Sequence, residues 1–156
     1  MKMRAAEADM AWTILRPTTY MENLTNDFVG KGFASMWHGL GSKRIQLVAT
    51  KDIGYFTALA LRDSEQWREK AISIAGDELS FGEAKGQFEE VFGNKMPETF
   101  GVVGCALKRA LGEVGTMFRW FGTDGFSADI KRCRELNSEM VDFKTWFRMQ
   151  SQFKTI

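Results

Sequence analysis

The chain has 156 residues, with 21 Lys and Arg against 20 Asp and Glu and a formal charge of +1. That is one domain's worth of chain, and so even a balance of charge excludes an electrostatic nucleic-acid binder and a polybasic membrane anchor. Apolar residues at 44% and charged ones at 26% make a globular composition, and no apolar run approaches the roughly 20 residues of a membrane span.

Met1 to Met10 is built of good helix formers with no capping residue before Ala5, and reads as a helix entered part-way along. Trp12-Thr13-Ile14-Leu15-Arg16-Pro17 is a short apolar run stopped by proline, suited to an internal strand of a parallel sheet. From Tyr20 the period changes: Tyr20, Leu24 and Phe28 recur every fourth residue, and Phe33, Met36 and Trp37 carry the helical pattern to a Gly39-Leu40-Gly41 turn. Ile45 to Ala49 is a second strand. Asp52 stands where a helix N-cap belongs, and Ile53, Phe56, Ala60 and Leu61 mark the buried stripe of a helix ending near Asp63.

Ala71 to Ala75 is a third strand, closed by Gly76-Asp77. Ser80-Phe81-Gly82-Glu83 matches a capping box, with Phe81, Ala84, Phe88, Val91 and Phe92 at helical spacing and Gly93 placed as a left-handed terminator. The longest predicted helix runs from Phe100 to Phe121, where Gly101, Gly104, Gly112 and Gly115 mark close approach to a neighbour or a break near Gly112. A last helix spans about Val141 to Phe153. The whole is an α/β pattern of about three strands with a helical C-terminal tail. A sheet so small reads as part of something larger, because parallel strands need cover on both faces.

Most catalytic signatures fail. His38 is the single histidine and has no G-x-S-x-G elbow to serve, so it reads as a surface or loop histidine. One His with Cys105 and Cys133 cannot assemble a zinc set, and the two cysteines read as free or buried thiols of a reducing compartment. Glu89-Glu90 reads as a solvated edge. The glycines from Gly30 and from Gly39 lack the third glycine of G-x-G-x-x-G and read as turns. Tyr20 and Tyr55 are followed at the fourth position by Leu24 and Leu59, so no Tyr-x-x-x-Lys pair exists to move a proton.

What remains is the strand end, Arg16-Pro17-Thr18-Thr19-Tyr20-Met21-Glu22-Asn23. Ligands of parallel sheets bind beyond the carboxyl ends of the strands, where Tyr20 offers an aromatic wall and Asn23 an amide with donor and acceptor. Spacing alone favours a plainer reading in which Pro17 ends the strand, Thr19 caps a helix and Tyr20 packs in the core. Trp120-Phe121, Phe126, Trp146 and Phe147 wall a cavity or cover an interface, or else form a core stripe, as spacing favours.

Trp12-Thr13-Ile14-Leu15-Arg16-Pro17-x-x-Tyr20-Met21-Glu22-Asn23 closely resembles the W-T-I-L-R-P-x-x-F-M-E-N stretch of the NmrA-like family, atypical short-chain dehydrogenases/reductases with an NAD(P)-binding Rossmann fold. Gln46 to Gly54, Ile74 to Ser80 and the tail from Met117 to Ile130 resemble later segments of that family in the same order. The resemblance implies an incomplete Rossmann-like parallel sheet, an α/β part over 1–98 and a helical substrate-side part over 99–156. It also implies that the Gly-rich phosphate loop lies in a preceding half that these residues do not include. Pro17, Thr18, Tyr20 and Asn23 are carried over as cofactor-binding, pocket-lining residues, with Tyr20 in place of the usual Phe.

Three functions stay open at this point. The first is the substrate-side half of an NADP- or NAD-linked oxidoreductase-type protein. The second is a non-catalytic, redox-sensing transcriptional regulator of the cytoplasm. The third is a freestanding small-molecule-binding domain without cofactor. A sheet lacking its first strands exposes an edge, for which a homodimer or an N-terminal partner segment is the expected cover.

Overall fold

A computed structural model describes residues 11–99 and 112–153. Strand β1 (Thr13–Pro17) is followed by the two-residue β2 (Thr19–Tyr20) and a single 3-10 turn, Met21–Asn23. Then come α1 (Phe28–His38), β3 (Ile45–Val48), α2 (Thr50–Arg62), α3 (Ser64–Trp67), β4 (Lys70–Ile74), β5 (Asp77–Leu79) and α4 (Phe81–Phe92). The tail holds α5 (Gly112–Thr123), α6 (Ile130–Leu136) and α7 (Phe143–Met149). The fold is α/β, as the alternation of periods predicts, and it is compatible with part of a Rossmann-like sheet.

Strand β1 pairs in parallel with β4, Thr13 opposite Lys70 and Pro17 opposite Ile74. Strand β2 pairs in parallel with β3, which pairs antiparallel with β5. The two small sheets are stitched where they meet: Thr18 N–H donates to Ile74 O at 3.1 Å and Gly76 N–H to Leu47 O at 2.7 Å. All four residues of β3 are buried, which is why its side chains show no alternation. Its one polar member, Gln46, is satisfied by exchanging hydrogen bonds with the Ala128 backbone at 2.8 and 3.0 Å.

The larger core cluster gathers Met21, Trp37, Leu47, Phe88, Phe143 and Trp146 between α1, α4 and α7. Trp37 sits at its centre, edge-on to Phe33, Phe81 and Phe143. A second cluster around Phe56, Trp67, Ile74 and Cys133 packs α2, α3 and α6 against β1 and β4.

Local signals that the sequence carries hold where they are purely local. The Ser80 box forms in both directions, and Gly93 ends α4 at φ +69°. Elsewhere long-range packing changes the outcome. The four-residue period from Tyr20 is no helix: the chain makes a 3-10 turn, and α1 starts only at Phe28, capped by Asp27, whose carboxylate accepts from Gly30 N–H at 2.9 Å. A Cβ at Gly30 would lie 2.2 Å from Thr25, so only glycine lets that turn fold back onto α1. Gly30 therefore belongs to a helix and not to a turn.

Thr19 caps nothing and sits in β2, and Tyr20 is exposed. Leu61, expected on the buried stripe of α2, is 77% exposed. Asp52 is the third residue of α2 rather than its cap. The predicted Phe100–Phe121 helix is described only from Gly112, and Cys105 and residues 1–10 also lie outside the described residues. Cys133 is free and buried, its thiol pushed up by desolvation. No helix among the described residues is long and apolar enough to cross a membrane.

Candidate functional site

Proline at position 17 ends β1 because it has no N–H to give the ladder. The chain then turns through Thr18 and Thr19 so that Tyr20 and Asn23 stand over the carboxyl end of the strand. There they face Met117, Trp120 and Phe121 of α5 and Phe126 just beyond it, around a cleft of about 250 Å³. Pro17, Thr18, Tyr20 and Asn23, which lie along one stretch of sequence, thus share one cavity with three aromatic side chains from the tail. The tail aromatics divide: Trp120, Phe121 and Phe126 reach this cleft, while Trp146 and Phe147 belong to the core.

The polar groups of the cleft are unequal. Thr18 Oγ1 donates to Ile74 O at 3.1 Å, so its hydroxyl proton is spent on the sheet junction. Thr19 Oγ1 has no partner among the described residues, although the residue is only 6% exposed. Thr19, which spacing reads as a helix cap within the strand-end stretch, lines the cleft, and Met117 is the lining residue that sequence reasoning missed. Nothing in the sequence separates a threonine whose hydroxyl is tied to the backbone from its neighbour whose hydroxyl is not. No Lys, Arg or His lines the cleft among the described residues.

Glu22 holds the floor in place. Its Oε1 accepts from Thr50 N–H at 3.0 Å, from Thr50 Oγ1 at 2.9 Å and from Trp146 Nε1 at 3.2 Å. Helix α2 begins after Ala49, which supplies no side-chain cap, so the Glu22 carboxylate caps it from another element. This one side chain joins the 3-10 turn carrying Asn23 to α2 and to α7.

Asp52, buried at 3% exposure, works from the other side. Its Oδ1 accepts from Asn137 Nδ2 at 3.0 Å and its Oδ2 from Val141 N–H at 3.3 Å. Desolvation raises its carboxyl above the ordinary value of 3.8, with the two hydrogen bonds offsetting only part. His38 is engaged elsewhere, with Nδ1 on Glu98 at 2.7 Å and its ring stacked on Phe81. No group of His, Cys, Asp and Glu able to hold a metal forms among the described residues.

The profile of the NmrA-like family matches residues 2–147. Two solved structures share the fold, each at a TM-score of 0.59. One is a doubly substituted NmrA at 12% identity, over 91% of this chain and 53% of that one. The other, at 13% identity over 92% of this chain and 53% of that one, is described as NmrA, a negative transcriptional regulator, in complex with NADP. The chain therefore spans about half the length of these two structures. No curated protein sequence matches it.

Proposed function

Since the chain belongs to the NmrA-like family, we propose that it is the substrate-side part of an NAD(P)-binding protein of oxidoreductase type. The nicotinamide end of NADP or NAD lies against Pro17, Thr18, Tyr20 and Asn23. The observation that carries this reading is the cleft itself. It opens at the carboxyl end of a parallel strand, where α/β sheets bind their ligands. At about 250 Å³ it suits a single ring rather than a drug-sized molecule of roughly 300–1,000 Å³. Its walls are aromatic and uncharged, which fits a flat ring, neutral in NADPH and cationic against aromatic faces in NADP+, and leaves the dinucleotide's phosphates to be held elsewhere. The NADP bound to the NmrA structure supports a dinucleotide as the ligand.

One observation favours a regulatory form of this reading, in which the dinucleotide reports redox state in the cytoplasm and no hydride is transferred. Tyr20 is the only acid–base group lining the cleft among the described residues, and no lysine lines it there to share in a proton transfer. The edge of β1 that pairs with no strand among the described residues belongs to the proposal as well: a second copy, or a segment supplying the phosphate loop, would pair there.

Calorimetric titration of the folded chain with NADPH and NADP+ tests the assignment. Binding of one equivalent, weaker than micromolar because the phosphates lack their loop, is the expected result. A folded chain that takes up neither form at millimolar dinucleotide overturns it.

A further inference from the structure

The strand-end cleft does not stop at Asn23. Asn23 and Met117 also bound a second, larger groove of about 680 Å³, between the start of α1 and α5. Phe28, Val29, Phe33, Met36 and Val114 supply its apolar surface. The volume falls in the range of small-molecule sites, and the shared residues make the two spaces neighbours.

Charge and hydrogen bonding restrict what can enter. The ionisable side chains lining the groove among the described residues are Glu22 and Asp27, and neither space has a Lys, Arg or His in its described wall. Asp27 is held anionic by the Gly30 N–H and the Thr25 hydroxyl, which lower its pKa. An anion placed here would meet both carboxylates, and the cation that acts on Asp27, Lys31, stands outside the described wall. Two oxygens in these walls have no partner among the described residues: Glu22 Oε2 in the groove, although Oε1 has three, and Thr19 Oγ1 in the adjoining cleft. Both are shut from solvent, and the exposed Asp27 carboxylate in the groove wall is the acceptor that an occupant bearing O–H or N–H reaches.

We propose that this groove binds a small apolar ring compound that carries a hydrogen-bond donor and no negative charge. That it is the substrate's place rests on the nicotinamide reading of the adjoining cleft; the binding itself does not.

The test uses two fluorescent probes on one skeleton, with the full chain and no dinucleotide. N-phenylnaphthylamine is neutral and has one N–H; anilinonaphthalene sulfonate adds the anion. The neutral probe is expected to bind saturably at one site, about tenfold or more tighter than the sulfonate. Val29 is 75% exposed at the rim, so Val29→Lys adds a cation without touching the core. That variant is expected to tighten the sulfonate by about tenfold and to close the gap between the probes. Equal or tighter binding of the sulfonate to the native chain overturns the proposal, as does a preference that Val29→Lys leaves unchanged. Absence of saturable binding by a folded chain also overturns it, including the case in which sedimentation shows a second copy covering the groove. NADPH binding without probe binding would remove this inference and leave the cofactor assignment standing; the reverse result would do the opposite.

Discussion

Glu22→Ala is expected to lower the free energy of unfolding by about 2–3 kcal/mol, measured by urea denaturation, since the buried Trp146 indole N–H is left without an acceptor and the exposed first turn of α2 loses its cap. The loss falls on three elements together. Helix α2 loses the acceptor for its first N–H, Trp146 Nε1 loses its partner inside the core, and the turn carrying Asn23 loses its tether. Trp146→Phe keeps most of the packing and removes one of these bonds, so it is expected to cost about 1 kcal/mol. The double variant should cost less than the sum, because each single change breaks the same contact. Additive costs would show that the geometry at Glu22 is not an interaction that stabilises the fold.

Asp52→Ala is the second large effect, at about 2–3 kcal/mol near neutral pH, because it strands the Asn137 amide and the Val141 N–H in the interior. The surrounding joint has little slack. A Cβ at Gly76 would lie 2.6 Å from Val141 O, and Arg134 spans Gly76 O and Met140 O at 2.7 and 3.2 Å.

The pH dependence has a definite sign. Burial raises the folded-state pKa of Asp52, so the native chain holds this proton more tightly than the unfolded chain. Its protonation-linked stability is complete below the ordinary value of 3.8 and is lost as pH rises through the raised one. The difference in stability between the native chain and Asp52→Ala is therefore expected to grow as pH falls from neutral toward 4. Asp27 and Glu83 act in the opposite sense. Backbone hydrogen bonds from Gly30 and Ser80 lower their pKa values, so their contribution is present above the ordinary carboxylate range and is lost in acid. Subtracting the variant's profile from the native one isolates Asp52. A difference that shrinks in acid contradicts the assignment.

What the sequence made legible is what short-range chemistry decides. The apolar runs at 12–17, 45–49 and 71–75 become β1, β3 and β4 within a residue or two, and the Ser80 box and Gly93 bound α4 as read. Asp27 and Asp129 are equally local caps, of α1 and α6, and a search for Asp ahead of an apolar step would have found both. Asp52 could not be placed this way. A carboxylate in the first turn of a helix looks the same whether it caps that turn or faces inward, and the deciding partner, Asn137, stands 85 residues on. Strand β5 is three residues, Asp77-Glu78-Leu79, with no alternation to find, and exists through its pairing with β3. The candidate site was half legible. Pro17 to Asn23 lie together in one motif, whereas their placement against Trp120 and Phe126 depends on how Gln46 anchors the Ala128 backbone.

The central claim is that the nicotinamide ring rests in the strand-end cleft, and energy transfer from tryptophan to bound NADPH tests it most directly. Indole emission overlaps the absorption of reduced nicotinamide, and Trp120 lines the cleft, while Trp12 precedes the opposite end of β1. The account predicts that Trp120→Phe lowers the sensitised nicotinamide emission more than Trp12→Phe does, each variant being saturated with NADPH, with the tryptophans common to both variants supplying the remainder. A loss no greater for Trp120→Phe than for Trp12→Phe, in folded chains bound to NADPH, would place the ring elsewhere and contradict the account.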